Sequence, residues 1–214
     1  MTKVTERGMI FNGEMVRAIL DGRKTQTRRI MTPQPAGDIA RGVFPNPDAL
    51  GWISSLKHKY GGTTAHFCPF GQPGDRIWVR ETFRVHSRAT DVATLVYKAS
   101  ERQSWTEQTH RVPVSVCDKP AVIEKWTPSI HMPRWASRIT LEITAVRVER
   151  LNDINDRDAR AEGVTPDPIF PPRYIFAELW RSVYGDENPK CWQKNPWVWV
   201  IEFRRIEGDG HATD

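Results

Sequence analysis

Between Arg138 and Val148 the apolar side chains Ile139, Leu141, Ile143 and Ala145 fall on every second residue. Side chains along an extended strand point alternately to opposite faces, so this spacing predicts a half-buried strand and argues against a helix. Shorter runs read the same way. Gly74-Asp75 makes a turn into Arg76-Ile77-Trp78-Val79-Arg80, Thr94 to Ala99 is a second candidate strand, and Trp197 to Phe203 is a last one. Met9-Ile10-Phe11 is a short apolar run that precedes Asn12, a residue type that caps helices well. Met15 with Ile19, and Val16 with Leu20, then sit at helical spacing up to Gly22. Asn155 or Asp156 can cap a short helix that reaches Glu162 and stops at Gly163. Ile175, Leu179 and Val183 give Pro172 to Tyr184 a helical stripe.

Strands outnumber helices and the helices are short. The expected class is therefore α+β, drawn as a small β-barrel with flanking helices. Residues 31–74 and 100–135 are rich in proline and read as long loops with little regular structure. A length of 214 residues against roughly 150 per domain predicts one enlarged domain over 1–206, with a disordered polar tail at 207–214. The hydrophobic share of 39% is enough for a buried core. No segment has the roughly 18 apolar residues of a membrane span, and the first residues lack an apolar signal core. The expected setting is cytoplasmic, with no membrane partner. Cys68, Cys117 and Cys191 cannot build a disulfide framework and are expected as thiols.

The formal net charge is +5, and arginine outnumbers lysine. That balance favours a polyanionic partner, and guanidinium suits phosphate and stacking contacts. Nine tryptophans interleaved with arginine can act as stacking platforms for bases; packing into a core is the plainer use.

The basic run Gly22-Arg23-Lys24-Thr25-Gln26-Thr27-Arg28-Arg29 carries a more specific signal. It resembles the signature of the ASCH family, whose fold is a PUA-like β-barrel. The usual pattern is Gly-x-Lys-x-x-Glu-x-Arg; Gly22, Lys24 and Arg29 match it, and Thr27 stands where Glu is common. The small bacterial ASCH amidohydrolases that act on N(4)-acetylcytidine carry Gly-Arg-Lys-Thr-x-Thr-x-Arg, the pattern found here. The likeness continues through Gly74-Asp75, through Leu151 to Thr165, which brings Glu162 onto a functional Glu, and through Trp199-Val200-Ile201-Glu202-Phe203. It leaves insertions at about 30–74 and 84–135. Cys68-Pro69-Phe70-Gly71 and His131 to Ala136 are similar to stretches of longer ASCH proteins from phage and prophage.

The resemblance implies a catalytic trio of Lys24, Thr27 and Glu162. In such an amidohydrolase a neutral Lys24 takes the proton of the Thr27 hydroxyl, and Glu162 serves as acid and base. Burial and neighbouring positive charge would have to lower the Lys24 pKa for this to work. Arg23, Arg28, Arg29 and Trp78 are the expected substrate-binding groups, and no cofactor is expected. The rivals are a non-catalytic RNA-binding module, a ribonuclease, and a phage or prophage interaction protein with an idle pocket. The partner is a nucleoside or single-stranded RNA in the first readings and an unidentified protein in the last. His58, His66 and Cys68 fit no common zinc spacing, so no metal is expected. His131, in a segment rich in Trp and Arg, is either a nucleotide-pocket residue or a packed loop histidine.

Overall fold

The computed structural model describes residues 4–35, 39–43, 53–59 and 63–206. Eleven strands and four α-helices lie among them: β1 (Glu6–Ile10), α1 (Gly13–Leu20), β2 (Gln26–Ile30), β3 (Ile39–Val43), β4 (Ile53–His58), β5 (Thr63–Phe67), β6 (Arg76–Arg80), β7 (Phe83–Arg88), β8 (Val92–Tyr97), α2 (Trp105–Gln108), β9 (Thr109–Pro113), β10 (Thr140–Arg150), α3 (Asp156–Ala161), α4 (Pro172–Tyr184) and β11 (Trp197–Ile206). The class is α+β. The expected tail at 207–214 lies outside the described residues. No helix among those described is long and apolar enough to cross a membrane.

The chain divides into two compact units, each assembled from separate segments: 1–21, 76–142 and 205–214 in the first, 22–75 and 143–204 in the second. Hydrogen bonding orders five strands as β1-β6-β10-β11-β2. That order is open among the described residues, and no ring of strands closes into a barrel.

In the first unit β1 runs parallel to β6, with Gly8 opposite Trp78. A Cβ on Gly8 would lie 2.5 Å from the Trp78 indole, so only glycine lets the ring lie across that strand. Residues 140–142 pair antiparallel with β6. Asn12 caps α1 by accepting from the Met15 N–H at 2.8 Å, as the sequence indicates. Strand β8 falls on the strand expected at Thr94 to Ala99, and β7 and β9, the latter inside the stretch read as irregular, join it in an antiparallel meander, β7-β8-β9. Phe83, Val85, Leu95, Tyr97 and Val112 form its core with Met132 and Ala136. Strand β9 escapes a reading of the sequence because it ends in proline. Pro113 closes an edge strand, where a missing N–H breaks no ladder.

In the second unit β2 pairs antiparallel with β11, Thr27 opposite Ile201 and Arg28 opposite Val200. The loop expected over 31–74 holds a second meander, β3-β4-β5. Its strands are short, and Ser54, Ser55, Thr63 and Thr64 leave β4 and β5 with little apolar alternation for a sequence reading to find. The helix at Pro172 to Tyr184 has the expected ends, but its buried face differs. Phe176, Ala177 and Trp180 are buried, whereas Val183 is 52% exposed. Two aromatics remove more apolar area from water than the Ile-Leu-Val stripe does, so they set the helix rotation. They pack with Leu151, Ile154, Val198 and Val200 into this unit's core.

No disulfide joins the cysteines; Cys117 and Cys191 are buried thiols and Cys68 is half-buried. Trp180, Trp197 and Trp199 are core residues, while Trp105 is 53% exposed.

Candidate functional site

The Gly22-to-Arg29 segment turns from an open loop into a buried strand within two residues. Gly22 has a φ of 74°, a backbone shape that favours glycine. The chain then meets the end of α3. Lys24 and Glu162 form an isolated antiparallel bridge, and the Thr25 N–H donates to the Ala161 carbonyl at 2.8 Å. Asn155 starts α3 by accepting from the Asp158 N–H at 2.8 Å, and Gly163, at φ 87°, ends it. Six helical residues therefore deliver Glu162 to the start of β2.

The Lys24 amine donates to the Glu162 Oε2 and to the Glu162 carbonyl, both at 2.8 Å. Lys24 is 2% exposed and Glu162 3%. The third position on Nζ is a proton in the ammonium and a lone pair in the neutral amine. Burial lowers the Lys24 pKa from its ordinary value. Glu162 opposes that change, and Arg29 and Arg28 add to it. Base chemistry at Lys24 requires a shift in this direction, and burial with neighbouring positive charge is its expected cause.

Arg28 is buried and lies 3.2 Å from the other Glu162 oxygen, Oε1. Its second terminal nitrogen reaches Glu149 at 3.0 Å and Asp158 at 3.2 Å. Arg147 extends the network to Glu149, Glu202, Asp158 and Gln26. Arg29 follows on the alternate side of the strand. Burial lowers its pKa, while Tyr184 and Glu162 raise it. The Tyr184 pKa is raised by burial, with Arg29 opposing. Lys24 and Arg28 thus contact one deeply buried carboxylate, and Arg29 is near enough for that carboxylate to act on its charge.

The structure brings Lys24, Arg28, Arg29 and Glu162 together. Arg23 is exposed and donates to the Gly163 carbonyl at 2.8 Å, which braces the end of α3. Thr27 is 2% exposed on β2, and its hydroxyl makes no hydrogen bond to Lys24 or Glu162. Trp78 belongs to the first unit, where its ring lies against Gly8 and under the Arg80 guanidinium, 5.4 Å from the centroid. Among the described residues no group of three or more His, Cys, Asp or Glu could hold a metal ion.

Glu149, Arg147, Asp158 and Tyr184 join the site without having stood out in the sequence. Three of them carried a usable signal: Asp158 lies four residues before Glu162, on one helical face, and Arg147 and Glu149 share one face of β10. Tyr184 carried none, because its place depends on how α4 packs.

No protein-family model, curated protein or solved structure matches this chain.

Proposed function

We propose that this protein is an ASCH-type, PUA-like protein that binds a nucleoside in the second unit and hydrolyses the amide of an N(4)-acylated cytidine. The observation that carries the reading is the buried 2.8 Å contact of Lys24 with Glu162, which joins two of the three side chains implied by the motif. Burial shifts this lysine towards the neutral amine that base chemistry needs.

The chemistry then runs in two stages. Lys24 Nζ removes the Thr27 hydroxyl proton as Thr27 Oγ1 bonds to the acyl carbonyl carbon. The carbon–N4 bond breaks, and N4 takes a proton relayed from Lys24 through Glu162, which releases cytidine. Water, deprotonated by Glu162, then attacks the threonine ester. Thr27 Oγ1 leaves with a proton, and the carboxylic acid is freed. Arg28 and Arg29 stabilise the oxyanion and the carbonyl oxygens of the base.

The test is release of cytidine from N(4)-acetylcytidine, read by mass spectrometry. Lys24→Ala, Thr27→Ala and Glu162→Ala should each lower turnover by about 100-fold or more while circular dichroism shows a folded protein. Undiminished turnover in all three would end this mechanism.

A binding role without chemistry is the second reading. Its support is the Thr27 hydroxyl, which has no hydrogen bond to the amine that must activate it. That reading expects salt-dependent retention of single-stranded RNA with no cleaved or deacylated product.

A further inference from the structure

The first unit holds a separate cleft that the motif does not reach. It follows from how residues 119–128 lie along β7. Val122 N–H donates to the Val85 carbonyl at 2.9 Å, and Thr127 exchanges two backbone hydrogen bonds with Phe83 at 2.8 and 3.2 Å. The pins are closely spaced on β7, at Phe83 and Val85, and widely spaced on the facing segment, at Val122 and Thr127. The intervening residues must bow outward, and a cleft of about 470 Å³ opens beneath them. That volume lies within the range of small-molecule sites.

Its lining is chemically one-sided. Val85 lines it beside Arg84, Lys119, Lys125, Trp126 and His131, with no aspartate or glutamate. Glu124 is exposed and does not line it. Arg84, Lys119 and Lys125 form no ion pair among the described residues, unlike the arginines of the Glu162 network. The Arg84 guanidinium lies 4.9 Å from the Trp126 ring centroid, and its Nε is hidden from solvent without a hydrogen-bond partner. A buried donor lacking an acceptor is costly, and an anion supplies the acceptor.

The geometry points to this cleft as a binding site for a nucleoside monophosphate unit, free or within a single strand. The base stacks on Trp126, and the phosphate meets Arg84 together with Lys119, Lys125 and His131. An acidic peptide offers charge but no planar ring, so it leaves the Trp126 platform unused. The site is separate from the Lys24 chemistry and does not rest on it.

The experiment measures fluorescence anisotropy of a labelled ten-nucleotide single-stranded RNA, with cytidine monophosphate and a poly-glutamate decamer as competitors. N(4)-acetylcytidine turnover is followed in parallel. Trp126→Ala should weaken RNA binding at least fivefold and Lys119→Ala/Lys125→Ala at least tenfold, with turnover unchanged. The double variant should also lower the salt slope by about 1.4, because each lysine that neutralises a phosphate of a single strand adds roughly 0.7 to it. Trp126→Phe and Lys119→Arg/Lys125→Arg should retain binding, which separates the site from a folding defect. Displacement by the monophosphate assigns a free nucleotide; binding of the strand alone, with the same variant losses, assigns a nucleic acid. RNA binding that depends on Trp126 without any turnover keeps this site and removes only the hydrolase reading. Wild-type affinity in the alanine variants, or equal competition by poly-glutamate, overturns the proposal.

Discussion

Each unit buries a carboxylate against cations, and the two arrangements differ in balance. In the first, Glu81 faces Arg138 through two hydrogen bonds of 2.9 and 3.1 Å. Arg138 also donates to Ser100 and to the Glu107 carbonyl, and it lies 4.1 Å from the Tyr97 ring centroid. One charge meets one charge, and the remaining donors find neutral partners. In the second, Lys24 and Arg28 both contact Glu162, Arg29 is near enough to feel its charge, and the half-buried Glu149 and Asp158 share Arg28 from outside. The first pair needs nothing further. The second joins a buried amine to a wider network, in which Lys24, Arg28, Arg29 and Arg147 stand against Glu162, Glu149, Asp158 and Glu202. A buried ion pair is weak evidence of function in itself; a buried amine inside a wider charge network is what sets one of these apart.

The largest expected effect tests that difference. Glu162→Gln leaves buried cations without their nearest anion, so it should cost about 3–5 kcal/mol in urea unfolding. Glu81→Gln leaves Arg138 with Ser100, Glu107 and Tyr97, so it should cost nearer ~2 kcal/mol and spare N(4)-acetylcytidine turnover. Equal losses of stability and turnover in both variants would erase the difference between the two units.

The pH dependence should run in opposite directions. The Lys24 pKa is lower in the folded state than in the unfolded one. Between the folded value and 10.5 the unfolded chain binds more protons, and stability rises with pH. Burial raises the Glu81 pKa above 4.5, against the pull of Arg138. From 4.5 up to its folded value the folded state binds more protons, and stability falls as pH rises. Each slope is at most about 1.4 kcal/mol per pH unit. Urea midpoints across pH should flatten on the alkaline side in Lys24→Met and on the acid side in Glu81→Gln. The opposite assignment of the two slopes would break the comparison.

The smallest effect concerns the caps. Asn155→Ala and Asn12→Ala each remove a side chain that accepts a 2.8 Å hydrogen bond at a helix start, and each should cost about 1 kcal/mol. Only Asn155 starts the helix that carries Glu162. Turnover should fall a fewfold in Asn155→Ala and stay level in Asn12→Ala; the thermal midpoints should fall together.

Local signals placed much of this molecule. The Gly74-Asp75 turn, strand β6, helix α4 and the cap at Asn155 all stand where short-range spacing put them. Each depends on neighbours within a few residues: a left-handed glycine, an alternation, a side chain that reaches its own helix start. Strand β8 was legible too, but the rest of the two meanders escaped because pairing makes those strands. Thr63 to Phe67 and Thr109 to Pro113 have little pattern of their own until a partner strand supplies the hydrogen bonds.

The sequence alone determined the α+β class, the helix ends and a basic segment entering a strand, because glycine, proline and asparagine act on their own backbone. It also brought Lys24, Thr27 and Glu162 forward as one set through resemblance to a family. Tertiary structure decided that Glu162 lies on the Lys24 amine, that Arg28 reaches the same carboxylate, and that Arg84 reaches over Trp126. Those outcomes join side chains far apart along the chain, 138 residues for Lys24 and Glu162, and only the packed core fixes such distances.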